Sequence, residues 1–118
     1  MVDDNRPSRE LVVDILSPLG FEMAEAADGA AGLTAARAIR PDLVILDLSM
    51  PGTDGFAVLR ELRGDREFAL TPVMAVTANA MPGERAKALR AGFTDFVTKP
   101  VHSAELRRRV EACLNAHV

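Results

Sequence analysis

The chain has 118 residues, enough for one domain and too few for two, because single cores form at about 100–150 residues. Its 48% hydrophobic content is that of a globular protein, and with only 4% aromatic residues the core falls to Leu, Val, Ile, Ala and Met. The 14 basic and 17 acidic residues leave a formal charge of −3, which gives no electrostatic footprint for nucleic acid or an anionic membrane, so direct binding to either is not expected. Cys113 has no partner, which excludes an internal disulfide and points to a reducing compartment. No apolar run reaches membrane-spanning length, and acidic residues rather than basic ones follow Met1 and Val2, unlike a signal peptide. A cytoplasmic location is expected.

Apolar residues and chain punctuation alternate along the sequence. Asn5 is placed to cap a helix and Pro7 is tolerated in its first turn. Leu11, Val12, Ile15, Leu16 and Leu19 then recur at helical spacing until Pro18 and Gly20 end the segment. Residues Phe21 to Ala26 alternate apolar and acidic, the pattern of a half-exposed strand, and Asp28-Gly29 reads as a turn. A second helix spans about Ala30 to Arg40, with Ala31, Ala35 and Ile39 on one face, and Pro41 stops it. Leu43, Val44, Ile45 and Leu46 form a continuous apolar run, as suits a parallel strand covered on both faces. A turn over Met50 to Thr53 leads to a third helix carrying Val58, Leu59 and Leu62, and Val73 to Val76 supplies another buried strand. A fourth helix is expected from about Pro82 to Ala91, and a short last strand at Phe96 and Val97. A final helix then carries Leu106, Val110, Cys113 and Leu114 on one face.

Strands alternating with helices require a parallel sheet with helices on both sides, a doubly wound α/β fold. In such sheets ligands sit at the carboxyl ends of the strands. Those ends carry Asp3 and Asp4, Asp47, Thr77 and Lys99. Three carboxylates in one pocket repel, and a bound divalent cation relieves that repulsion. All-oxygen ligands favour Mg²⁺, which keeps several waters and bridges carboxylate to phosphate. A lysine and a hydroxyl opposite would hold further phosphoryl oxygens, leaving Asp47 as a nucleophile toward phosphorus.

Val2-Asp3-Asp4-Asn5, the run from Leu46-Asp47-Leu48-Ser49-Met50-Pro51 through Gly52-Thr53-Asp54-Gly55, Thr77-Ala78 and Lys99-Pro100 together resemble response-regulator receiver domains of two-component signalling. The resemblance covers essentially the whole chain, so residues 1–118 are expected to form one receiver domain. It implies a (βα)5 flavodoxin-like fold with a single five-stranded parallel sheet in the order 2-1-3-4-5. Asp47 would be the phosphoacceptor, taking a phosphoryl group from a histidine kinase, a histidine phosphotransfer protein or a small donor such as acetyl phosphate. Asp3 and Asp4 would form the metal-binding pair, joined by Asp47 and the Ser49 backbone carbonyl around Mg²⁺. Lys99, Thr77, the Ala78 N–H and Ser49 would hold phosphoryl oxygens. Thr77 and Phe96 would act as the switch, biasing a surface of fourth helix, last strand and last helix toward a target protein or output domain. Ser49 and Asn79 would set the lifetime of the phosphate. A cis Lys99–Pro100 peptide is expected on the same ground. The domain would be no enzyme toward other substrates, but would catalyse its own phosphorylation and dephosphorylation. The alternative is a receiver-like interaction module that works without phosphorylation.

Each residue also has a plainer role. An acidic pair is commonly solvated surface, and Asp47 or Thr77 alone would serve as strand-end or helix caps. It is their joint order that favours the site. Met50-Pro51-Gly52 is mainly a turn, with no chemical role needed for Gly52 or Gly55. Cys113 is a core thiol, Arg107, Arg108 and Arg109 form a solvated face or meet an acidic partner, and His102 and His117 have no ligand set around them. A haloacid-dehalogenase-type phosphatase would need an Asp where Ser49 stands. A flavodoxin or dinucleotide-binding protein would need a phosphate-cradling loop where Asp3-Asp4 stands.

One departure is the first strand, with only Met1 and Val2 before Asp3 where a strand ordinarily has about five residues. It is expected to be truncated, through a shortened or mis-assigned start. Each absent buried aliphatic side chain would forfeit roughly 1.5–3 kcal/mol, and strand exchange between chains is one outcome such a short strand allows.

Overall fold

The computed structural model describes residues 1–50, 52, 54–78 and 81–116. Pro51, Thr53, Asn79 and His117, named above, lie outside the described residues. Short polar caps set the helices. Asn5 accepts the Ser8 N–H at 3.0 Å and starts α1, Arg6–Leu16, which tightens into a 3₁₀ turn before Gly20 at φ 94°. The expected Asp28-Gly29 turn is instead a helix start: Asp28 accepts the Ala31 N–H at 2.7 Å and caps α2, Gly29–Ile39. Asp54 accepts the Phe56 N–H and caps α3, Gly55–Gly64. α4 spans Glu84–Ala91 and α5 Ser103–Ala116.

Among the described residues three strands form the sheet: β1 Val44–Asp47, β2 Val73–Thr77 and β3 Asp95–Thr98, parallel and in the order β1-β2-β3. Its central runs are buried on both faces. Leu46 and Ala75 pack with α2, α3 and α4, while Ile45, Met74, Val76 and Val97 pack with α1 and α5 through Val12, Leu16, Leu106 and Val110. This is the α/β layering that the apolar runs predict. The expected five strands are not all formed, however. Met1–Val2 and Phe21–Ala26 contribute only isolated parallel bridges, Val2 to Ala26 and Val2 to Leu46. The physical reason is partner length: alternation suits residues 21–26 to a strand, but the neighbour they meet is the stub from Met1 to Asp3.

Two polar clamps tie the layers. Arg63, on the last turn of α3, donates to the carbonyls of Phe68 at 2.8 Å, Thr71 at 2.6 Å and Gly92 at 3.0 Å. Arg63→Ala strands these carbonyls without a charged donor and is expected to cost about 2 kcal/mol. A urea midpoint unchanged from wild type would count against the clamp. At the other clamp, Asp95 accepts from Arg109 at 2.8 Å and lies 3.7 Å from Arg85, so one carboxylate on β3 faces both α4 and α5. Arg109 also pairs with Glu105 at 3.0 Å, whereas Arg107 and Arg108 are exposed. Arg109 is therefore an internal tie rather than part of a solvated face.

Candidate functional site

Parallel register delivers the site. Asp47 pairs with Val76 and Thr77 with Thr98, so Asp47, Thr77 and Lys99 end at one edge of the sheet. The Lys99 N–H donates to the Thr77 carbonyl at 2.8 Å, and the Lys99–Pro100 peptide is cis, as the resemblance implied. Val2, bridged on both sides, brings Asp3 beside Asp47. Asp3 and Asp47 are 0% and 1% exposed, while Asp4 is exposed.

Carboxylate oxygens of Asp3, Asp4 and Asp47 lie within 4.8 Å of one another. Lys99 Nζ stands 3.2 Å from Asp3 Oδ2 and 3.2 Å from Asp47 Oδ2. One ammonium against two buried carboxylates leaves negative charge uncompensated, with Asp4 adding more at the mouth. Burial pushes the Asp47 carboxyl up, and neighbouring Asp3 adds to the rise. The Ser49 N–H at 2.8 Å and Lys99 oppose it without cancelling it. For Lys99, burial pulls the ammonium down, but hydrogen bonds to Asp3 and Asp47 outweigh it and raise the group overall. A hard cation with oxygen ligands fits this donor set, because it supplies the positive charge that Lys99 alone does not. The residues that could hold it are Asp3, Asp4 and Asp47.

Opposite the carboxylates, Ser49 Oγ lies 3.2 Å from Thr77 Oγ1 and accepts the Ala78 N–H at 3.0 Å. One hydroxyl oxygen thus bridges the Thr77 hydroxyl and the Ala78 N–H. Asp3, Asp4, Asp47, Ser49, Thr77, Ala78 and Lys99 are therefore brought together. Phe96 is not at this rim. It is buried in β3 opposite Ala75, in the layer shared with α3 and α4.

Two participants escape the sequence reading. Ser8 Oγ lies 3.4 Å from Lys99 Nζ, and Arg9 donates to the Asp3 carbonyl at 2.8 Å while pairing with Glu25 at 3.3 Å. Both sit in the first turn of α1, where polar residues are ordinary. The Asn5 cap was the available signal, since it aims that turn at the rim. The Asn5 N–H in turn donates to Asp3 Oδ1 at 2.9 Å.

Comparison with known proteins agrees with this geometry. Residues 1–111 match the family model described as the response regulator receiver domain. The DNA-binding response regulator MtrA of Mycolicibacterium smegmatis is 40% identical over 114 residues, 97% of this chain and 49% of that protein. The hybrid signal transduction histidine kinase D of Dictyostelium discoideum is 37% identical over 93% of this chain and 7% of its own length. The chain thus spans about half the length of one of these relatives and a small part of the other. Among solved structures, the receiver domain of NtrX from Brucella abortus superposes with a TM-score of 0.89 at 33% identity, covering 97% of this chain and 95% of that one. The receiver domain of the sensor histidine kinase PA1611 from Pseudomonas aeruginosa, described with magnesium coordinated in its active-site cleft, superposes at 0.86 with 32% identity over 97% and 93% of the two chains. Matched along nearly its whole length by sequence and by structure, the chain belongs to the response regulator receiver domain family.

Proposed function

We propose that residues 1–118 act as one phosphoacceptor receiver, in which Asp47 takes a phosphoryl group from a histidine kinase or histidine phosphotransfer protein. The single observation that carries this reading is the convergence of Lys99 Nζ on Asp47 and Asp3, each at 3.2 Å, beside the hydroxyls of Ser49 and Thr77. Asp47 Oδ2 would attack phosphorus as the phosphorus–nitrogen bond of a phosphohistidine, or the phosphorus–oxygen bond of acetyl phosphate, breaks. The electron pair leaves on imidazole or acetate. Lys99, the Thr77 hydroxyl and the Ala78 N–H then donate to the phosphoryl oxygens, which requires Ser49 Oγ to give up its contacts with Thr77 and Ala78. Asp3, Asp4, Asp47 and the Ser49 carbonyl would hold Mg²⁺, which when bound offsets the charge of carboxylates and phosphoryl group.

Thr77, drawn toward the phosphoryl group, and Phe96 would form the switch that biases the face of α4, β3 and α5 toward a target or output domain. With the two bridged segments serving as further strands, the sheet would take the order 2-1-3-4-5; the bridges of Val2 to Ala26 and to Leu46 support this reading. The unit would work in the cytoplasm with no direct nucleic-acid contact of its own. No described helix is long and apolar enough to cross a membrane.

Intact-protein mass spectrometry after incubation with acetyl phosphate tests the reading. A phosphate adduct is expected with Mg²⁺ and none when the metal is chelated. A folded protein that forms no adduct under either condition would favour the phosphorylation-independent module instead.

A further inference from the structure

Of the three carboxylates that converge at the rim, Asp3 and Asp47 are held directly, by Lys99 and by the N–H groups of Asn5 and Ser49. Asp4 is exposed, and among the described residues no hydrogen bond or ion pair reaches its side chain. Its carboxylate nevertheless lies within 4.8 Å of the other two. The chain bends at Asp4, so the direction in which this side chain leaves the backbone depends on how the peptides on either side of it are oriented. Left loose, those peptides would spread the carboxylate over many positions, and gathering it again would cost entropy.

Both peptides are pinned. The Asp3 carbonyl, which belongs to the peptide before Asp4, accepts from Arg9 Nη1 at 2.8 Å. The Asn5 N–H, which belongs to the peptide after it, donates to Asp3 Oδ1 at 2.9 Å. Arg9 is itself fixed from two sides. Its N–H donates to the Asn5 carbonyl at 3.0 Å, within the first turn of α1, and its Nε lies 3.3 Å from Glu25 Oε1 on the neighbouring segment. Its side chain keeps only 16% exposure, whereas Arg6, in the same turn, keeps 79% and pairs with Glu10 at the surface. A guanidinium serves two acceptors at once from a planar fork, so Arg9 spans the bend between residue 25 and the Asp3 carbonyl in a way that a single point charge does not.

We propose that Arg9 is a positioning residue for the acidic site: by bonding the Asp3 carbonyl it fixes the peptide before Asp4 and so turns the Asp4 carboxylate toward Asp3 and Asp47. The proposal rests on the reading of these three residues as holders of a divalent cation. Arg9 acts through geometry and against its own charge. A guanidinium beside the site repels a divalent cation, so by charge alone its removal would tighten binding, whereas loss of positioning weakens it. The two effects have opposite signs, and one titration separates them.

The test is titration of the chain with Mg²⁺, followed by the amide NMR shifts of Asp4 and Ser49 and free of any phosphoryl donor. Arg9→Met, which keeps an apolar stem and suits a helix but has no donor, is expected to bind Mg²⁺ about tenfold more weakly than wild type. Arg9→Gln, neutral and shorter, is expected to weaken binding in the same direction, so the outcome does not hang on one substitution folding. Arg9→Lys, which keeps a donor for the Asp3 carbonyl, is expected to stay within about threefold of wild type. In an Asp4→Asn background the Arg9→Met change is expected to alter the affinity less than about twofold, because the carboxylate that Arg9 positions is gone. Neutral variants that bind Mg²⁺ as tightly as wild type, or more tightly, would overturn the proposal and leave the metal reading intact. So would Arg9→Lys binding no better than Arg9→Met, or a tenfold loss that survives Asp4→Asn. A folded wild type whose amides do not respond to Mg²⁺ would overturn the metal reading and the role of Arg9 with it.

Discussion

Lys99→Ala is expected to destabilise the metal-free protein by about 3 kcal/mol, lowering its melting temperature by about 12 °C. The lysine is the only cation within hydrogen-bonding distance of the buried carboxylates of Asp3 and Asp47, at 3.2 Å from each among the described contacts. Its removal leaves two anions of 0% and 2% side-chain exposure facing each other. The figure is at the lower end for a broken buried pair because the lysine side chain itself keeps 20% exposure. Mg²⁺ is expected to restore most of the loss, since a divalent cation at the same carboxylates replaces the missing charge. Calorimetry of the variant with and without Mg²⁺ checks both halves. A variant as stable as wild type without metal would mean that the buried carboxylates do not rely on Lys99.

Asp47→Asn is expected to abolish the acetyl phosphate adduct while making the metal-free protein more stable at neutral pH, by about 4 °C in melting temperature. The first effect follows because an amide oxygen is no nucleophile toward phosphorus. The second follows from the raised Asp47 carboxyl, whose leading cause is burial. A carboxyl that titrates higher in the folded chain holds its proton longer there than when unfolded. Wild-type stability therefore falls as pH rises from the ordinary carboxylate range through the folded value, and the deficit is complete above it. Asparagine keeps the acceptor for the Ser49 N–H without the charge, so its advantage should be absent in acid and full at pH 7. Added Mg²⁺ should narrow the difference by stabilising wild type more. An adduct persisting in the variant would move the phosphoacceptor elsewhere. A variant less stable than wild type at pH 7 would show that Lys99 compensates Asp47 fully.

Much of this site was legible because its residues end apolar runs. Leu43 to Leu46 and Val73 to Val76 can be strands only if buried on both faces, and whatever follows such runs must collect at one rim. Asp47, Thr77 and Lys99 were therefore placed by the chain's punctuation, without knowledge of any contact. What stayed illegible depends on long-range partners. Alternation in residues 21–26 is a local property, but becoming a strand requires a neighbour, and theirs runs only from Met1 to Asp3. Ser8 and Arg9 look like any polar first turn until the fold sets Lys99 and the Asp3 carbonyl against them. Arg63 sits at the end of a helix where a basic residue is ordinary, and only the folded chain brings Gly92 to it. Asp28 was misplaced for a different reason, because Asp-Gly suits both a turn and a helix start. The Ala31 N–H decides between them.

The carboxylate of Asp95 sets how the face formed by α4, β3 and α5 answers to its surroundings. α4 and α5 share that one anion, through Arg85 and Arg109, so the two helices are tethered by charge as well as by aliphatic packing. The two tethers differ in kind: the Arg85 pair is longer and its arginine 53% exposed, whereas the Arg109 pair is short and its arginine 27% exposed. Added electrolyte screens the first before the second, while leaving the packed layers beneath untouched or tightened. Ionic strength therefore loosens this face from the α4 side first, with the α5 tether outlasting it.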